Sequence, residues 1–201
     1  MKRFVHSSSC AVYGNAEVSP QNEGLPPSPI SPYAATKVSA EGYCRVFHKV
    51  YGLETVSLRL FNVYGPRQRL EDYGGVLVKF MDRLSRKEPP VIYGDGEQTR
   101  DLTYVEDVVE AHMLALNSKS AAGEVFNIAT GHATRINELV KILADVMQVP
   151  PLRPIYAESR LGDIRHSCGD ITKARRVLGY VPNFPLKEGL RKLFEWHKRL
   201  A

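Results

Sequence analysis

The chain has 201 residues, of which 43% are hydrophobic and 24% are charged, and its formal net charge is +5. This composition is ordinary for an α/β protein of one large or two small domains. No apolar run approaches the roughly 20 residues that span a membrane, no signal peptide is apparent, and basic residues are spread out, so we expect a cytoplasmic protein with no membrane or nucleic-acid partner.

The first predicted element is a short strand. Phe4 and Val5 are apolar and lead into three serines, Ser7 to Ser9. Residues 11–14 continue as a strand that ends in a turn at a glycine. Ligands of open α/β sheets bind at the carboxyl ends of such strands.

A capped helix follows a proline-rich loop. Ser31 is a good N-cap and Pro32 suits the first helical position. The helix is predicted to run to about Tyr51, with Gly52 as its stop.

The remaining elements alternate between strands and helices, which predicts a parallel α/β architecture. The apolar patterns predict strands at 55–61, 91–93 and 125–128, and helices at 76–86, 105–116, 136–147 and 186–200.

Tyr33 and Lys37 form the first chemical pattern. Residues four apart lie on one face of a helix, so an ammonium can sit beside the phenol. A fixed positive charge favours the phenolate, which could then act as a base. Taken alone, the spacing is also typical of an exposed pair on an amphipathic helix.

The cysteines and histidines give no metal or disulfide pattern. Cys10, Cys44 and Cys168 are odd in number and widely spaced. This arrangement argues for reduced thiols and against a disulfide framework or a zinc site. The six histidines are scattered, so we expect no metal site.

Several blocks in order carry a family resemblance that covers nearly the whole chain. The chain resembles the extended short-chain dehydrogenase/reductases, specifically nucleotide-sugar epimerases of the UDP-galactose/UDP-N-acetylglucosamine 4-epimerase type. The matching blocks are 7–14 (SSSCAVYG), 31–33 (SPY) with Lys37, 59–62 (RLFN), 93–96 (YGDG) with 100–101 and 104–105, 126–128 (FNI), and Arg160 with 162–165 (GDIR).

This resemblance implies a fold class and a domain organisation. We expect an α/β chain holding the C-terminal half of a doubly wound, NAD(P)-binding Rossmann-like sheet plus a small α/β substrate-binding lobe. Residues 1–65 would form the truncated Rossmann-like half with the tyrosine–lysine helix. Residues 66–201 would form mainly the nucleotide-sugar-binding lobe, with segments near 101–130 returning to the Rossmann-like part.

The family's glycine-rich turn has no counterpart in this sequence. No Gly-x-Gly-x-x-Gly or Gly-x-x-Gly-x-x-Gly follows a strand and opens a helix. The cofactor implied by the resemblance is NAD, with the adenosine half of its site missing from this chain. We therefore expect the isolated chain to be inactive or nearly so as an epimerase.

The resemblance also assigns roles on the catalytic side. Tyr33 would take the proton from the sugar 4-hydroxyl while hydride leaves C4, giving a transient 4-keto intermediate. Ser9 would steady that oxygen. Lys37 would hold the nicotinamide ribose and favour the phenolate of Tyr33, and Ser7 and Phe61 would complete the cofactor side.

On the substrate side, the implied partner is a UDP-sugar. Asn62, Arg100 and Arg160 would bind the phosphates, where the planar fork of arginine grips phosphate oxygens. Other implied substrate contacts are Tyr93 against the base, Asp163 at the nucleoside, Ser9 at the sugar, and Ser167 beside the sugar, where a small side chain would admit an N-acetyl group.

Other functions stay open at this point. The 4,6-dehydratases carry an Asp-Glu pair where this chain has Cys10 and Ala11, which argues against elimination. UDP-glucuronate decarboxylases and uronate epimerases share Tyr33 and Lys37. A non-catalytic sugar-nucleotide-binding fragment is the remaining alternative.

The full-length parent is expected to be a homodimer through the helix at 33–51, and this chain is expected to self-associate.

Overall fold

The computed structural model describes residues 2–68, 75–160 and 162–199. The strands are β1 (Arg3–Ser9), β2 (Glu54–Leu60), β3 (Val63–Tyr64), β4 (Val91–Tyr93), β5 (Thr99–Asp101), β6 (Thr103–Tyr104), β7 (Val125–Ile128), β8 (Ala133–Arg135) and β9 (Ile155–Ala157). The α-helices are α1 (Pro32–Tyr51), α2 (Val76–Ser85), α3 (Val105–Asn117), α4 (Ile136–Met147), α5 (Thr172–Leu178) and α6 (Leu186–Lys198).

A three-stranded parallel sheet in the order β1-β2-β7 positions the site. The β1–β2 register runs from Arg3 opposite Glu54 to Ser9 opposite Leu60. The carboxyl ends of β1 and β2 therefore lie side by side, as parallel pairing requires. The segments that follow these two strands therefore begin at the same edge of the sheet.

Helix α1 has the ends that its sequence predicts. The Ser31 hydroxyl accepts a hydrogen bond from the Ala34 amide at 3.1 Å, and Pro32 occupies the first turn. Gly52 adopts a left-handed conformation with φ of 67° and donates its amide to the His48 carbonyl. The helix packs against β1 and β2.

A second group of elements surrounds its own apolar core. Helices α2, α4 and α6 bury Leu77, Phe80, Leu139, Leu143 and Leu190 together with the residues around them. Small two-stranded pairings accompany this core: β4 with β9 and β5 with β8. We call these elements the second lobe. Among the described residues, no helix has the length and apolar content needed to cross a membrane.

Sequence and structure agree on the long elements and on the short strands at 91–93 and 125–128, and they differ on residues 10–13 and on the end of the last helix. Residues 10–13 form a 3-10 helix, not the end of a strand, because the Ser9 hydroxyl accepts the Ala11 amide and caps a tight turn. Helix α6 ends at Lys198. The predicted end of this helix, at residue 200, lies outside the described residues. Strand β7 pairs with β2, while the domain boundary at residue 65 stays a prediction.

Candidate active site

Two adjoining cavities open where the strands of the main sheet end. The first, the strand-end cavity, has a volume of about 520 Å³ and is lined by residues at and just after the carboxyl ends of β1 and β2 and by residues of α1. The second, the lobe cavity, has a volume of about 460 Å³ and is lined mainly by the second lobe. Both cavities share the residues Asn62, Val63, Arg100, Gly162 and Asp163.

The strand-end cavity brings together the predicted catalytic residues Ser9, Tyr33 and Lys37, with Ser7 beside them. The Lys37 Nζ lies 5.6 Å from the centroid of the Tyr33 ring and donates to the Ser7 carbonyl at 2.9 Å. Because an ammonium carries three N–H groups, this bond fixes Lys37 and leaves donors for a ligand. Tyr33 is 56% exposed, so its phenol is open to the cavity.

The serines of β1 have different partners. The Ser9 hydroxyl is the cap of the 3-10 helix, and its own proton can still be donated into the cavity. Ser7 Oγ lies 2.9 Å from His112 Nε2. Because His112 Nδ1 lies 2.8 Å from the Val108 carbonyl and must donate to it, Nε2 of a neutral ring accepts from Ser7.

A buried ionic network lies behind the strand-end cavity. The Arg59 guanidinium donates to both Glu41 oxygens, at 2.9 and 2.8 Å, and Ser8 donates to Glu41 at 2.6 Å. Burial alone would lower the pKa of Arg59, but the hydrogen bonds and charges of Glu41 and Tyr13 outweigh it and raise this pKa above the ordinary value, so the guanidinium stays charged. Because Ser8 lies on β1, Arg59 on β2 and Glu41 on α1, the network fixes this helix to both strands. Glu41 lies one turn after Lys37 on the same helix. Sequence reasoning missed it, although the four-residue spacing from Lys37 was a signal.

The lobe cavity carries the predicted nucleotide-binding residues. The Arg160 guanidinium stacks on the Tyr93 ring at 3.8 Å, and its hydrogen bond and charge lower the pKa of Tyr93. Arg100 Nη2 donates to Asp163 at 2.6 Å. Aromatic and arginine side chains in this arrangement can hold a planar base and phosphate oxygens.

Ser167 lines the strand-end cavity beside Asn62, a residue that both cavities share. Its hydroxyl donates to Cys10 Sγ at 3.8 Å and accepts from Asn62 Nδ2 at 3.4 Å. Burial raises the pKa of the Cys10 thiol, which therefore stays neutral beside the serine. Asn62 has a φ of 26°, a conformation that asparagine tolerates better than most residues. Such backbone conformations often occur at functional sites.

Asp101, next to Arg100, is a buried anchor that sequence reasoning did not identify. Its carboxylate accepts the amides of Thr130, Gly131 and Gly169 and the Thr130 hydroxyl. Burial raises the pKa of Asp101 although these bonds oppose the shift. The carboxylate thus ties β5 to the loop after β7 and to residue 169.

Phe61 differs from the other predicted site residues. It lies outside the lining of both cavities, since its ring is fully buried in the main core with its centroid 6.3 Å from that of Tyr13. Its amide donates to the Ile128 carbonyl and continues the pairing of β2 with β7. Strand alternation instead places the preceding residue, Leu60, at the strand-end cavity. This placement does not support a cofactor contact by the Phe61 side chain.

Comparisons with known proteins agree with this geometry. UDP-glucose 4-epimerase of Mycolicibacterium smegmatis is 38% identical over 199 residues, which are 98% of this chain and 63% of that protein. The structure of UDP-N-acetylglucosamine 4-epimerase from Methanobrevibacter ruminantium, in complex with UDP-N-acetylmuramic acid, is 39% identical with a TM-score of 0.94 and covers 100% of this chain and 64% of that one.

A second similar structure contains the cofactor. UDP-glucuronic acid 4-epimerase from Bacillus cereus, in complex with UDP-glucuronic acid and NAD, is 34% identical with a TM-score of 0.91, over 99% of this chain and 62% of that one. The chain thus spans somewhat over 60% of the length of these proteins. The model of the NAD dependent epimerase/dehydratase family matches residues 1–129. The chain belongs to the NAD dependent epimerase/dehydratase family.

Proposed function

We propose that this chain carries the catalytic tyrosine and the UDP-sugar site of an NAD-dependent UDP-hexose 4-epimerase. The observation that carries the proposal is the convergence of two residue groups on adjoining cavities. Ser9, Tyr33 and Lys37 line one cavity, Tyr93 and Arg160 line the other, and Arg100 lines both. A nucleotide sugar that lies across both cavities would place its sugar at the tyrosine and its phosphates at the arginines.

The residues of the strand-end cavity suit proton transfer at the sugar. The Tyr33 phenolate would take the proton of the 4-hydroxyl, and the Lys37 ammonium would stabilise the phenolate. NAD, when bound, would supply the redox chemistry at C4, as hydride acceptor and then as hydride donor. The Ser9 hydroxyl would donate to the C4 oxygen in both directions.

The described residues fit one end of NAD. Lys37 offers ammonium donors and Ser7 a hydroxyl beside the tyrosine, which suits a ribose and its nicotinamide. The adenosine end normally uses a glycine-rich turn, and this sequence contains none after a strand. We therefore expect the chain alone to show little or no epimerase turnover. Measurable interconversion of UDP-galactose and UDP-glucose by the purified chain, with tightly bound NAD, would contradict this.

The ion pair and the cation–π contact of the lobe cavity would rearrange when UDP binds. Arg100 is held by Asp163 and Arg160 by the Tyr93 ring. A pyrophosphate would recruit both arginines through charge-assisted hydrogen bonds. Asp163 would then accept from the nucleoside, and the Tyr93 ring would become available to the base.

Ser167 supports a broad choice of sugar. It is small, and it lies between Cys10 and Asn62 at the cavity wall. We infer that UDP-N-acetylhexosamines fit as well as UDP-hexoses, and that Ser167→Tyr selectively weakens the N-acetyl sugars, because overpacking costs about 1–3 kcal/mol. An unchanged ratio of affinities for UDP-N-acetylglucosamine and UDP-glucose would contradict this role.

A uronate epimerase is the second candidate, because one of the similar structures contains UDP-glucuronic acid. A uronate carboxylate at C6 would need a donor on the sugar side of the strand-end cavity. Tighter binding of UDP-glucuronic acid than of UDP-glucose would favour this candidate.

Exposed aromatic residues on α1 support self-association. Tyr43 and Tyr51 are 69% and 71% exposed, and Phe47 lies between them. Contiguous exposed apolar patches often mark interaction surfaces. We expect oligomers in light scattering and fewer of them in a Tyr43→Ser, Phe47→Ser variant; a monodisperse monomer at high concentration would contradict this.

Isothermal titration of UDP and of NAD tests the proposed site. The chain should bind UDP measurably and NAD much more weakly. Arg100→Met should weaken UDP binding by about tenfold or more, since a hydrogen bond to a charged group contributes about 1.5–3 kcal/mol. Arg45→Met, which changes an exposed arginine outside both cavities, should leave UDP affinity unchanged. Failure to bind UDP would overturn the proposal.

A further inference from the structure

We propose that Gln21 is a positioning residue that sets the sugar specificity of the strand-end cavity by fixing Ser167. The inference rests on the UDP-sugar site proposed above. Gln21 lies outside both cavities and is only 2% exposed, in the loop between the 3-10 helix and α1.

The Gln21 side chain bonds to the residues on both sides of Ser167. Its Oε1 accepts the amide of Cys168 at 3.0 Å, and its Nε2 donates to the carbonyl of His166 at 3.1 Å. A primary amide carries a donor and an acceptor at the same end of one uncharged group. Methionine of similar length makes neither bond, and a glutamate carboxylate makes only the first.

The backbone of Gln21 holds the same segment independently of the side chain. Its amide donates to the Cys168 carbonyl at 2.7 Å, and its carbonyl accepts the Asp170 amide at 2.7 Å. These bonds remain when the side chain is replaced. Substitution should therefore release the His166 carbonyl and the Cys168 amide, on the two sides of Ser167, while the backbone of the loop stays paired with residues 168 and 170.

A buried polar chain connects Gln21 to the main sheet. The Asn127 side chain, on β7, donates to the Gln21 carbonyl at 2.9 Å and accepts from the Tyr13 hydroxyl at 2.7 Å. Asn127 is fully buried. These bonds fix the position of Gln21 relative to the sheet, because a buried polar network whose hydrogen bonds are all made specifies one arrangement.

Ser167 is held by the Gln21 bonds to its two neighbours and by its own amide, which donates to the Thr99 carbonyl at 3.2 Å. The Ser167 hydroxyl makes long contacts to Asn62 and Cys10, at 3.4 and 3.8 Å, which are too weak to fix it alone. Supporting groups must hold a binding wall to within about 0.5 Å for it to discriminate between ligands. A loosened wall should change recognition of the sugar substituent and leave the nucleotide contacts of the lobe cavity intact.

Calorimetry on the full chain with UDP, UDP-glucose and UDP-N-acetylglucosamine tests the inference. Gln21→Met should change the ratio of the two sugar-nucleotide affinities by about fivefold and Gln21→Glu by less, with UDP affinity held within about twofold. The control is Tyr180→Phe, which removes one buried hydrogen bond, from the Tyr180 hydroxyl to the Ala129 carbonyl, outside both cavities. It should leave the ratio unchanged.

The outcomes separate this inference from the proposed function. An unchanged ratio in both Gln21 variants, alongside a changed ratio in Ser167→Tyr, overturns the role of Gln21 and leaves the UDP-sugar site standing. Absence of UDP binding by the unaltered chain overturns the site itself. Hydrogen exchange gives a readout without ligand: the Cys168 amide should exchange about tenfold faster in Gln21→Met than in Tyr180→Phe. Equal protection in the two variants also overturns the inference.

Discussion

The strand-end cavity and the lobe cavity are supported by different kinds of ionic contact. Behind the strand-end cavity, the side chains of Arg59 and Glu41 are only 4% and 7% exposed. Beside the lobe cavity, Arg165 pairs with Asp95 through side chains that are 49% and 57% exposed. The first pair holds a helix on a sheet, whereas the second joins a surface turn to the segment that carries Asp163.

This difference indicates what each cavity needs. Proton transfer requires Tyr33 and Lys37 at fixed positions. A buried ion pair supplies such rigidity, because separating its two partners would leave an uncompensated charge in the interior. Binding and release of an anionic nucleotide require ionic contacts that exchange. The Arg100–Asp163 pair of the lobe cavity, with side chains 14% and 39% exposed, and the more exposed Arg165–Asp95 pair beside it are both more open to solvent and salt than the Arg59–Glu41 pair. Four predictions test this contrast.

Breaking the buried pair should have the largest effect. Glu41→Leu leaves Arg59 buried without its partner and should lower the free energy of unfolding by about 3–5 kcal/mol. The control is the double variant Glu41→Leu, Arg59→Met, which removes both charges and should recover most of this loss. Urea unfolding measures the free energy of unfolding of both variants. A loss below about 1 kcal/mol in the single variant would contradict the claim that the buried pair supports the strand-end cavity.

The apolar core of the second lobe should also resist substitution, although the ion pairs on the surface of this lobe are exposed. Gly189 on α6 lies directly against the Tyr64 hydroxyl, and an added Cβ would also come within 2.8 Å of Tyr104. Gly189→Ala should therefore destabilise the protein by about 1–3 kcal/mol.

The matched control for this variant is Gly42→Ala on α1, where a Cβ would meet nothing within 4 Å. Glycine inside a helix costs up to about 1 kcal/mol relative to alanine, so the control should stabilise the protein. Thermal unfolding separates the two. Equal shifts of the same sign would show that the lobe core is loosely packed.

Salt should separate nucleotide binding from stability. Raising the salt concentration from about 0.05 to 1 M shortens the screening length severalfold and should weaken UDP binding by roughly tenfold. The urea midpoint of the chain, which depends on burial, should move little. Salt-independent UDP affinity would show that Arg100 and Arg160 are not the phosphate contacts.

Loss of the exposed Arg165–Asp95 pair should have the smallest effect, and it should depend on pH. The hydrogen bonds from Arg165 lower the pKa of Asp95 below its ordinary value of 3.8. A lowered acid pKa stabilises the fold above the ordinary value, and this contribution is lost as the pH falls towards the lowered one. The small difference in melting temperature between the unaltered chain and Asp95→Asn should therefore shrink below about pH 4. A difference that grows in acid would contradict the pairing.

The sequence predicted those parts of the fold that depend on local chemistry. Helix α1 begins and ends as predicted because Ser31 and Gly52 act on their own neighbours. Strands such as β3 and β6 have two residues each, too few to show a period, and form only through pairing with distant segments.

The site shows the same division. The pair Tyr33 and Lys37 is visible as a spacing of four residues, and the family blocks supplied the other candidates. Glu41 meets Arg59 eighteen positions away, and Gln21 meets Cys168 at a separation of 147 residues. No periodic pattern records such contacts. The cofactor role of Phe61 stays a prediction, because a matching sequence block does not show which side of a strand end a side chain occupies.

A structure of the chain with UDP-glucose would test most directly whether the two cavities form one site. We expect pyrophosphate oxygens within about 2.7–3.2 Å of the Arg100 and Arg160 guanidiniums. The sugar C4 oxygen should lie within hydrogen-bond reach of the Tyr33 and Ser9 hydroxyls. A nucleotide bound in the lobe cavity with its sugar directed away from Tyr33 would contradict the account.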